Sequence, residues 1–205
     1  MKRLSVITMG LLVVAFTVFG CATQPSGPGW VTLIDGDKGL ENWNRIGDAN
    51  WRAEGGAIVA DKGKGGQLVS KNSYKDFEIY AEFWADTATN SGIFIRASDP
   101  KKIGSDNAYE VNIYDLRPGQ EYATGAIVSF ASVPVPNNYK AGGKWNTFEI
   151  YAKGSEVTVK LNGAVTAHMQ NSKFAAGPFS LQFGNGANDA PGGAIKWRNV
   201  QIKPL

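Results

Sequence analysis

The sequence predicts an all-β protein, a sandwich of two packed antiparallel sheets. Three observations lead to this fold class. From Trp30 onward, no stretch of a dozen residues has the periodicity of an amphipathic helix. Short runs instead alternate between apolar and polar residues, and Gly, Asn, Asp and Pro separate them. About a dozen such runs fall within roughly 175 residues, which is typical of a two-sheet sandwich.

The predicted strands follow one another closely along the chain. Asp76–Ala85 alternates most clearly, with phenylalanines on one face and glutamates on the other. Gly55-Gly56 and Asn162-Gly163 each supply the two residues of a tight hairpin turn. In chain order we expect strands at Val31–Asp35, Trp51–Glu54, Ala57–Asp61, Gln67–Ser70, Asp76–Ala85, Ser91–Ala97, Ala108–Asp115, Gly125–Phe130, Trp145–Lys153, Val157–Leu161, Ala164–Met169, Pro178–Phe183 and Ala194–Lys203.

Residues 1–20 are predicted to be the export signal of a bacterial lipoprotein, because a basic head precedes an apolar stretch of marginal length for a membrane span. Val18-Phe19-Gly20-Cys21 resembles the lipobox, which implies cleavage before Cys21 and lipidation of its sulfur. Ordinary cleavage and an uncleaved anchor are the alternatives. Residues 21–29 form a flexible tether, and residues 30–205 form one domain. We expect a lipid-anchored protein of the cell envelope, on the outer membrane and facing the periplasm or the surface if the cell is Gram-negative.

Scarce residues and the charge balance exclude several functions. A single His, His168, and a single Cys, Cys21, exclude a zinc site built from several such residues and a disulfide within the chain. The net charge of +3 includes two basic residues of the predicted signal, so we expect no nucleic-acid partner. No metal site is predicted. Asp35-Gly36-Asp37 and residues 185–189 could hold calcium through oxygen atoms, but turns are the favoured interpretation.

One sheet face is predicted to carry polar and aromatic side chains together. If strands 76–85, 91–97 and 108–115 are neighbours, they share two carboxylates, a guanidinium, an amide and aromatic rings. Carbohydrate sites use this mixture, since rings cover the apolar faces of sugars and polar groups bind the hydroxyls. Alternation alone favours a solvated face with cross-strand ion pairs worth about 0–1 kcal/mol each. The residues concerned are Tyr80, Glu82, Trp84, Phe94, Arg96, Glu110, Asn112 and Tyr114.

A series of short motifs runs through the whole predicted domain. They are Leu33-Ile34-Asp35-Gly36, Asp76-Phe77-Glu78, Asn90-Ser91-Gly92-Ile93-Phe94-Ile95-Arg96, Tyr109-Glu110-Val111-Asn112-Ile113 with Asp115, Thr124-Gly125-Ala126, Trp145-Asn146-Thr147, Leu161-Asn162-Gly163, Gly177-Pro178 with Leu181-Gln182, and Trp197-Arg198-Asn199-Val200. By their number and order, the chain resembles the 3-keto-disaccharide hydrolase domain family over essentially all of residues 30–205. The resemblance implies a concanavalin A-like jelly roll whose concave sheet carries the site.

The resemblance also implies an activity, the cleavage of glycosides already oxidised to a ketone at sugar carbon 3. That ketone acidifies the hydrogen on carbon 2, so a carboxylate can remove it, the carbon-1 substituent can leave by elimination, and water adds back. The reaction needs a base and a cation near the enolate oxygen. We therefore expect Glu110 or Glu82 to be the base and Arg96 the cation. The expected substrate-binding residues are Asn90, Trp84, Tyr109, Asn112 and Asp115.

The sequence departs from the family pattern after the Leu-Gln motif. Many members have an Asp-His pair where this chain has Phe183-Gly184-Asn185, and Val128-Ser129 replaces their Tyr or Gly. If that His helps catalysis in relatives, this chain uses another group or is not catalytic. Three interpretations stay open. They are an envelope-tethered hydrolase or lyase of 3-keto-glycosides, a non-catalytic carbohydrate-binding lipoprotein using the same face, and a structural or interaction domain of the envelope whose polar face is merely solvated. No cofactor is expected beyond the calcium considered above.

Overall fold

Apolar side chains from two antiparallel sheets meet face to face, which confirms the predicted β-sandwich. The computed structural model describes residues 24–186, 190 and 192–205. The predicted export signal, the lipidation site Cys21 and part of the 185–189 run lie outside these residues. None of the helices among the described residues has the length and apolarity needed to cross a membrane.

Thirteen strands and two short 3-10 turns make up the regular structure of the described residues. The turns are Leu40–Asn42 and Gln120–Tyr122. The strands are β1 (Val31–Asp35), β2 (Trp43–Gly47), β3 (Arg52–Glu54), β4 (Ala57–Ala60), β5 (Gly66–Ser70), β6 (Phe77–Ala85), β7 (Ser91–Ile95), β8 (Tyr109–Ile113), β9 (Trp145–Lys153), β10 (Glu156–Leu161), β11 (Ala164–Gln170), β12 (Ser180–Phe183) and β13 (Ile195–Pro204).

The strands divide into a sheet of eight and a sheet of five. The larger sheet has the order β11-β10-β9-β6-β13-β4-β3, and β1 also pairs with β13. The smaller sheet has the order β2-β5-β12-β7-β8. Both predicted two-residue turns are confirmed: Gly55 and Gly56 have φ of 62° and 76°, and Asn162 and Gly163 have φ of 52° and 82°. Positive φ at both positions matches the right-handed twist of the hairpins that they close.

Two of the strand predictions are wrong. β2 was not predicted, because it has only two apolar residues, Trp43 and Ile46, to mark its alternation. Residues 125–130, predicted as a strand, instead form a turn-rich segment against the edge of β8, with φ of 91° at Gly125 and 65° at Ser129. These left-handed conformations interrupt an extended chain, so only isolated bridges remain, such as the one between Val111 and Ile127.

The three motif strands, whose adjacency was the condition for one shared polar face, are not all neighbours. β7 and β8 pair in the smaller sheet, but β6 lies in the larger sheet between β9 and β13. Residues 86–90 carry the chain from one sheet to the other, so strands that follow each other in sequence are not neighbours here. The outward faces of β6 and β8 therefore lie on opposite sides of the sandwich.

The interior between the sheets is filled by large apolar side chains. Phe83 from β6 stacks on Phe148 from β9 with ring centroids 5.0 Å apart and contacts Trp197 from β13 at 5.7 Å. From the smaller sheet, Trp43 meets Phe179 edge-on at 5.3 Å. Such pairs contribute about 0.5–1.5 kcal/mol beyond the burial of their area. The core thus fixes the distance between the two sheets.

Arg96 ties the end of β7 to segments that belong to the larger sheet. Its φ of 54° ends the strand, and its side chain is fully buried. The guanidinium donates hydrogen bonds to the carbonyl oxygens of Lys75 at 2.8 Å, Gly154 at 2.7 Å and Phe174 at 3.5 Å. It also pairs with the carboxylate of Asp76 at 3.3 Å. A buried charge with this many acceptors holds four separate segments together.

We expect Arg96→Met to lower the free energy of unfolding by about 3–5 kcal/mol, because the change leaves buried acceptors without their cation. Urea denaturation monitored by tryptophan fluorescence measures this loss. The matched control is Arg198→Met, since that guanidinium is 44% exposed and pairs with Glu82 at the surface. Such a pair is worth about 1 kcal/mol or less. Similar losses in the two variants would contradict the structural role of Arg96.

Candidate functional site

The candidate site lies on the outer face of the smaller sheet, where β12, β7 and β8 run side by side. Successive side chains of a strand point to opposite faces. On β8, the odd-numbered residues fill the core while Glu110 and Asn112 point outward. On β7, Gly92 pairs with Asn112, and Phe94 pairs with Glu110. The side chains of Glu110 and Asn112 therefore lie next to Gly92, which has no side chain.

β12 completes this face on the other side of β7. The bridge between Asn90 and Gly184 continues the register in which the two strands pair. That register places Gln182 opposite Gly92, which therefore lies between Gln182 and Asn112 in one row across three strands. The row has an amide at each end and a glycine in the middle.

Loops cover the outer face, so the site is a recess rather than an open surface. Ile103 packs on Phe94 from outside the sheet, and its carbonyl oxygen accepts a 3.0 Å hydrogen bond from the side chain of Gln67. The carbonyl oxygen of Tyr122 accepts a 2.6 Å hydrogen bond from Nδ2 of Asn112. Glu110 is consequently only 7% exposed, and Asn112 is fully buried.

Three buried polar atoms around the recess have no hydrogen-bond partner among the described residues. They are Oδ1 of Asn112, Oε1 of Gln182 and the hydroxyl of Tyr114. The bond from Asn112 Nδ2 to Tyr122 fixes which way that amide faces, so its oxygen is the free atom. Buried polar groups are almost always paired in folded proteins, and an unpaired group costs about 1–3 kcal/mol. Each of these groups would therefore be stabilised by an additional hydrogen-bond partner.

Glu110 is the ionisable group of this recess. Among the described residues, its carboxyl forms no hydrogen bond and no ion pair. Burial raises the pKa of Glu110 to about 7, and the positive charge of Arg117 partly opposes this effect. A carboxyl with a pKa near neutrality is suited to accept a proton from a substrate, because it is both available as a base and strong enough to act.

Arg117 supplies a positive charge that acts on the carboxyl of Glu110. It follows β8 in a turn, where its backbone N–H lies 3.5 Å from the carbonyl oxygen of Tyr114 and its own carbonyl accepts a 2.7 Å bond from Gln120. The side chain is half-buried and takes part in none of the ion pairs formed by described residues. Arg117 was not predicted as a site residue, although its place just after the motif strand is a usable signal.

Two of the predicted site residues lie with Glu110 at the recess. Asn112 contributes its free oxygen, as described above. Asn90 lies on the same face, just before β7 begins, and its side chain donates a 2.5 Å hydrogen bond to the carbonyl oxygen of Asn185. Gln182 and Gly92 belong to the recess as well, but the sequence analysis treated them only as parts of family motifs.

Glu82 and Trp84 lie on the outer face of the larger sheet, away from Glu110. Glu82 pairs with Arg198 at 2.5 Å and accepts a 3.0 Å hydrogen bond from the hydroxyl of Tyr80. The ammonium of Lys196 lies 4.8 Å from the ring of Trp84. This face matches the solvated surface with cross-strand pairs that alternation alone favoured.

Arg96, Tyr109 and Asp115 are not brought to the recess either. Arg96 binds the segments described above. The hydroxyl of Tyr109 donates to Asn171 Oδ1 at 2.6 Å inside the core, since an odd-numbered residue of β8 faces inward. Asp115 accepts hydrogen bonds from the hydroxyl of Thr124 at 2.5 Å and from two backbone N–H groups of residues 141–142, so its carboxylate holds loops together.

The described residues offer no group of three or more His, Cys, Asp or Glu side chains placed to hold a metal ion. Of the two oxygen-rich runs, the first forms a turn in which the backbones of Asp35 and Lys38 exchange hydrogen bonds of 3.2 and 3.0 Å. The second run lies partly outside the described residues.

Solved structures with the same architecture come from several carbohydrate-related proteins. A protein from Parabacteroides distasonis, to which glycosyl hydrolase activity is provisionally attributed, aligns with a TM-score of 0.72 at 20% identity over 86% of this chain and 94% of its own. A carbohydrate-binding module from Bacillus subtilis aligns with a TM-score of 0.55 at 16% identity over 85% of this chain and 95% of its own. These likenesses define the fold as a lectin-like jelly roll.

The family is defined by sequence. The chain belongs to the family of 3-keto-alpha-glucoside-1,2-lyase-like domains, whose sequence profile matches residues 29–203. A relative from Bacteroides thetaiotaomicron named 3-keto-disaccharide hydrolase is 29% identical over 159 residues, which are 63% of this chain and 54% of the relative. The chain thus spans about half the length of that relative. The resemblance drawn from the motifs is confirmed.

The burial of Glu110 predicts a pH-dependent effect of Glu110→Gln on stability. The folded state raises the pKa of Glu110 from 4.5 to about 7, so the stabilisation from protonation is complete below pH 4.5 and is lost as the pH rises through 7. At pH 8, Glu110→Gln is therefore expected to be more stable than the wild type by up to about 3 kcal/mol. Urea denaturation at pH 8 and at pH 4.5 measures the difference, which should nearly vanish at the lower pH. An equal difference at both values would contradict a buried, unpaired carboxylate.

Proposed function

We propose that this protein cleaves 3-keto-glycosides by elimination, with Glu110 as the base. The observation that carries the proposal is the buried carboxylate of Glu110, which lacks a partner among the described residues and shares a recess with unpaired hydrogen-bond acceptors. Membership of the 3-keto-alpha-glucoside-1,2-lyase-like family supports the substrate class. The name of the Bacteroides thetaiotaomicron relative supports the same chemistry.

In the proposed first step, the carboxylate of Glu110 removes the proton from carbon 2 of the sugar. The electron pair of that C–H bond moves into the enolate of the carbon-3 ketone. Arg117, whose positive charge acts on Glu110, stabilises the negative charge on the enolate oxygen. It thus takes the role that the sequence analysis gave to Arg96.

In the second step, the enolate re-forms the ketone as the bond between carbon 1 and the glycosidic oxygen breaks. A double bond between carbons 1 and 2 remains, and the leaving oxygen takes a proton from the Glu110 carboxylic acid. Water then adds to carbon 1 while carbon 2 regains a proton, which gives the net products of hydrolysis. The only protein group that must change its protonation state is Glu110, whose pKa near 7 suits both directions of transfer.

A non-catalytic carbohydrate-binding protein is the second candidate function. The acceptor atoms of Asn112 and Gln182 that lack a partner among the described residues support a binding role as much as a catalytic one. The chain also lacks the His that many family members carry after the Leu-Gln motif. Turnover separates this candidate from the enzyme.

Product formation from a panel of 3-keto-glucosides and 3-keto-disaccharides tests the enzyme. We expect Glu110→Gln to lower kcat by about 10²–10⁴-fold, because the amide cannot accept the proton. Arg117→Met, measured in the same assay, should lower kcat by about 10²-fold. For the wild type, kcat/KM should rise with pH and level off above about pH 7, as the carboxyl of Glu110 loses its proton.

Glu82→Gln is the matched control for the loss of a carboxylate, because Glu82 lies on the other sheet and pairs with Arg198. Its kcat should stay within about twofold of the wild type. Full activity of Glu110→Gln would exclude Glu110 as the base. The absence of turnover by the wild type on every member of the panel would favour the carbohydrate-binding function.

We further propose that the chain is tethered to the cell envelope by lipid on Cys21. The lipobox-like Val18-Phe19-Gly20-Cys21 supports this proposal. Cells grown with radiolabelled palmitate should incorporate label into the wild-type protein and fail to do so with Cys21→Ser. Labelling of Cys21→Ser would contradict attachment at this residue.

A further inference from the structure

The loop that connects β7 to β8 closes on itself at a narrow neck. It runs from Ser98 to Asn107, and both the N–H and the hydroxyl of Ser98 donate to the carbonyl oxygen of Asn107, at 2.9 and 3.1 Å. Within the loop, the N–H of Gly104 donates to Asn107 Oδ1 at 3.1 Å, and the N–H of Lys101 donates to Asp99 Oδ1 at 2.9 Å. Because these bonds hold the loop in its own shape, it can move as one unit about its neck.

Few interactions attach the middle of this loop to the sheet beneath it. Ile103, which is half-buried, packs on a small cluster made of Phe94, Ala97 and Ala108. Among the described residues, the only hydrogen bond that joins the loop to the rest of the protein is the 3.0 Å bond from Gln67 to the carbonyl oxygen of Ile103. A segment with so few attachments opens locally at a low free energy, whereas strands in the core open only with the whole domain.

Gln67 holds the loop from a buried position on β5. Its Nε2 donates to the carbonyl oxygen of Ile103, and its Oε1 accepts a hydrogen bond from the hydroxyl of Ser180 on β12. A carbonyl oxygen only accepts hydrogen bonds, so the nitrogen of this amide must face the loop. The side chain of Gln67 is thus fixed at both ends and directed at Ile103.

The side chains beneath the loop include the immediate neighbour of the proposed base. Phe94 pairs with Glu110 on one side and with Ser180 on the other, and all three point away from the core. All three are nevertheless buried. Since Ile103 packs on Phe94, a movement of the loop away from the sheet uncovers this row. A buried carboxyl is out of reach of a substrate as large as a glycoside until such a movement occurs.

We propose that residues 98–107 form a lid over Glu110, and that Gln67 is the positioning residue that holds this lid closed. The lid opens about the neck formed by Ser98 and Asn107, and Ile103 then leaves Phe94. Substrate and product pass while the lid is open, and closure desolvates the carboxyl for the reaction. The inference rests on the proposed function, because it concerns access to the proposed base.

Chemical modification of carboxyl groups measures how often the lid opens. The full chain is treated at one fixed pH with a water-soluble carbodiimide and glycinamide, and mass spectrometry follows amide formation at each carboxyl. Because the reagents reach Glu110 from the open state, the rate there follows the open population. Gln67→Met keeps the size of the side chain but removes the donor, and we expect it to raise the rate at Glu110 about fivefold. Ile103→Ala, which removes half-buried apolar contact, should raise it about tenfold.

Gln201→Met is the matched control, because Gln201 is also buried but lies on β13 of the larger sheet. It should leave the rate at Glu110 unchanged. Asp115 is the internal reference, since residues 124 and 141–142 hold its carboxylate, and its rate should stay constant in every variant. If neither lid variant accelerates Glu110, or if Glu110 and Asp115 accelerate together, the lid is wrong. Turnover of 3-keto-glycosides with unchanged modification rates would overturn this inference alone. Faster modification of Glu110 without turnover would overturn only the proposed catalysis.

Discussion

The buried guanidinium of Arg96 is the interaction on which the relation between the two sheets depends. It leaves the end of β7 in a left-handed conformation and reaches carbonyl oxygens and a carboxylate on segments before β6, between β9 and β10, and after β11. Aromatic packing sets the distance between the sheets but not the position of one sheet along the other. The guanidinium of Arg96, whose hydrogen-bond donors are directional, fixes that position.

The position of β7 determines where the recess lies. β7 is the middle strand of the three that carry the site, with β12 on one side and β8 on the other. Its Gly92 lies between the amide residues of both neighbours, and the loops of Ile103 and Tyr122 cover the face from outside. Burial leaves Glu110 only 7% exposed, and this partial desolvation is the physical origin of its raised pKa.

The buried polar groups of the recess lower the stability of the protein, whereas polar groups on a solvated sheet face do not. Asn112 and Gln182 each have an oxygen atom, and Glu110 a carboxyl, without a partner among the described residues, and each such group lowers stability. The larger sheet shows the contrast, because Glu82 there pairs with Arg198 in contact with water. Polar groups that lack partners in a recess gain hydrogen bonds when a ligand binds. Groups that are already paired on a solvated face gain little.

The local features of this fold were determined by the sequence itself. Alternation located most of the strands, the Gly-Gly and Asn-Gly pairs located two hairpin turns, and the motifs identified the family, because each of these depends on residues close together in the chain. The alternation also predicted that Glu82 and Glu110 face outward from their sheets, and both do. Only the tertiary structure decided that these two carboxylates are on opposite sides of the molecule. A period of two is the same in either sheet and does not encode which strands will pair, so Glu82 became a surface ion pair and Glu110 a buried acid.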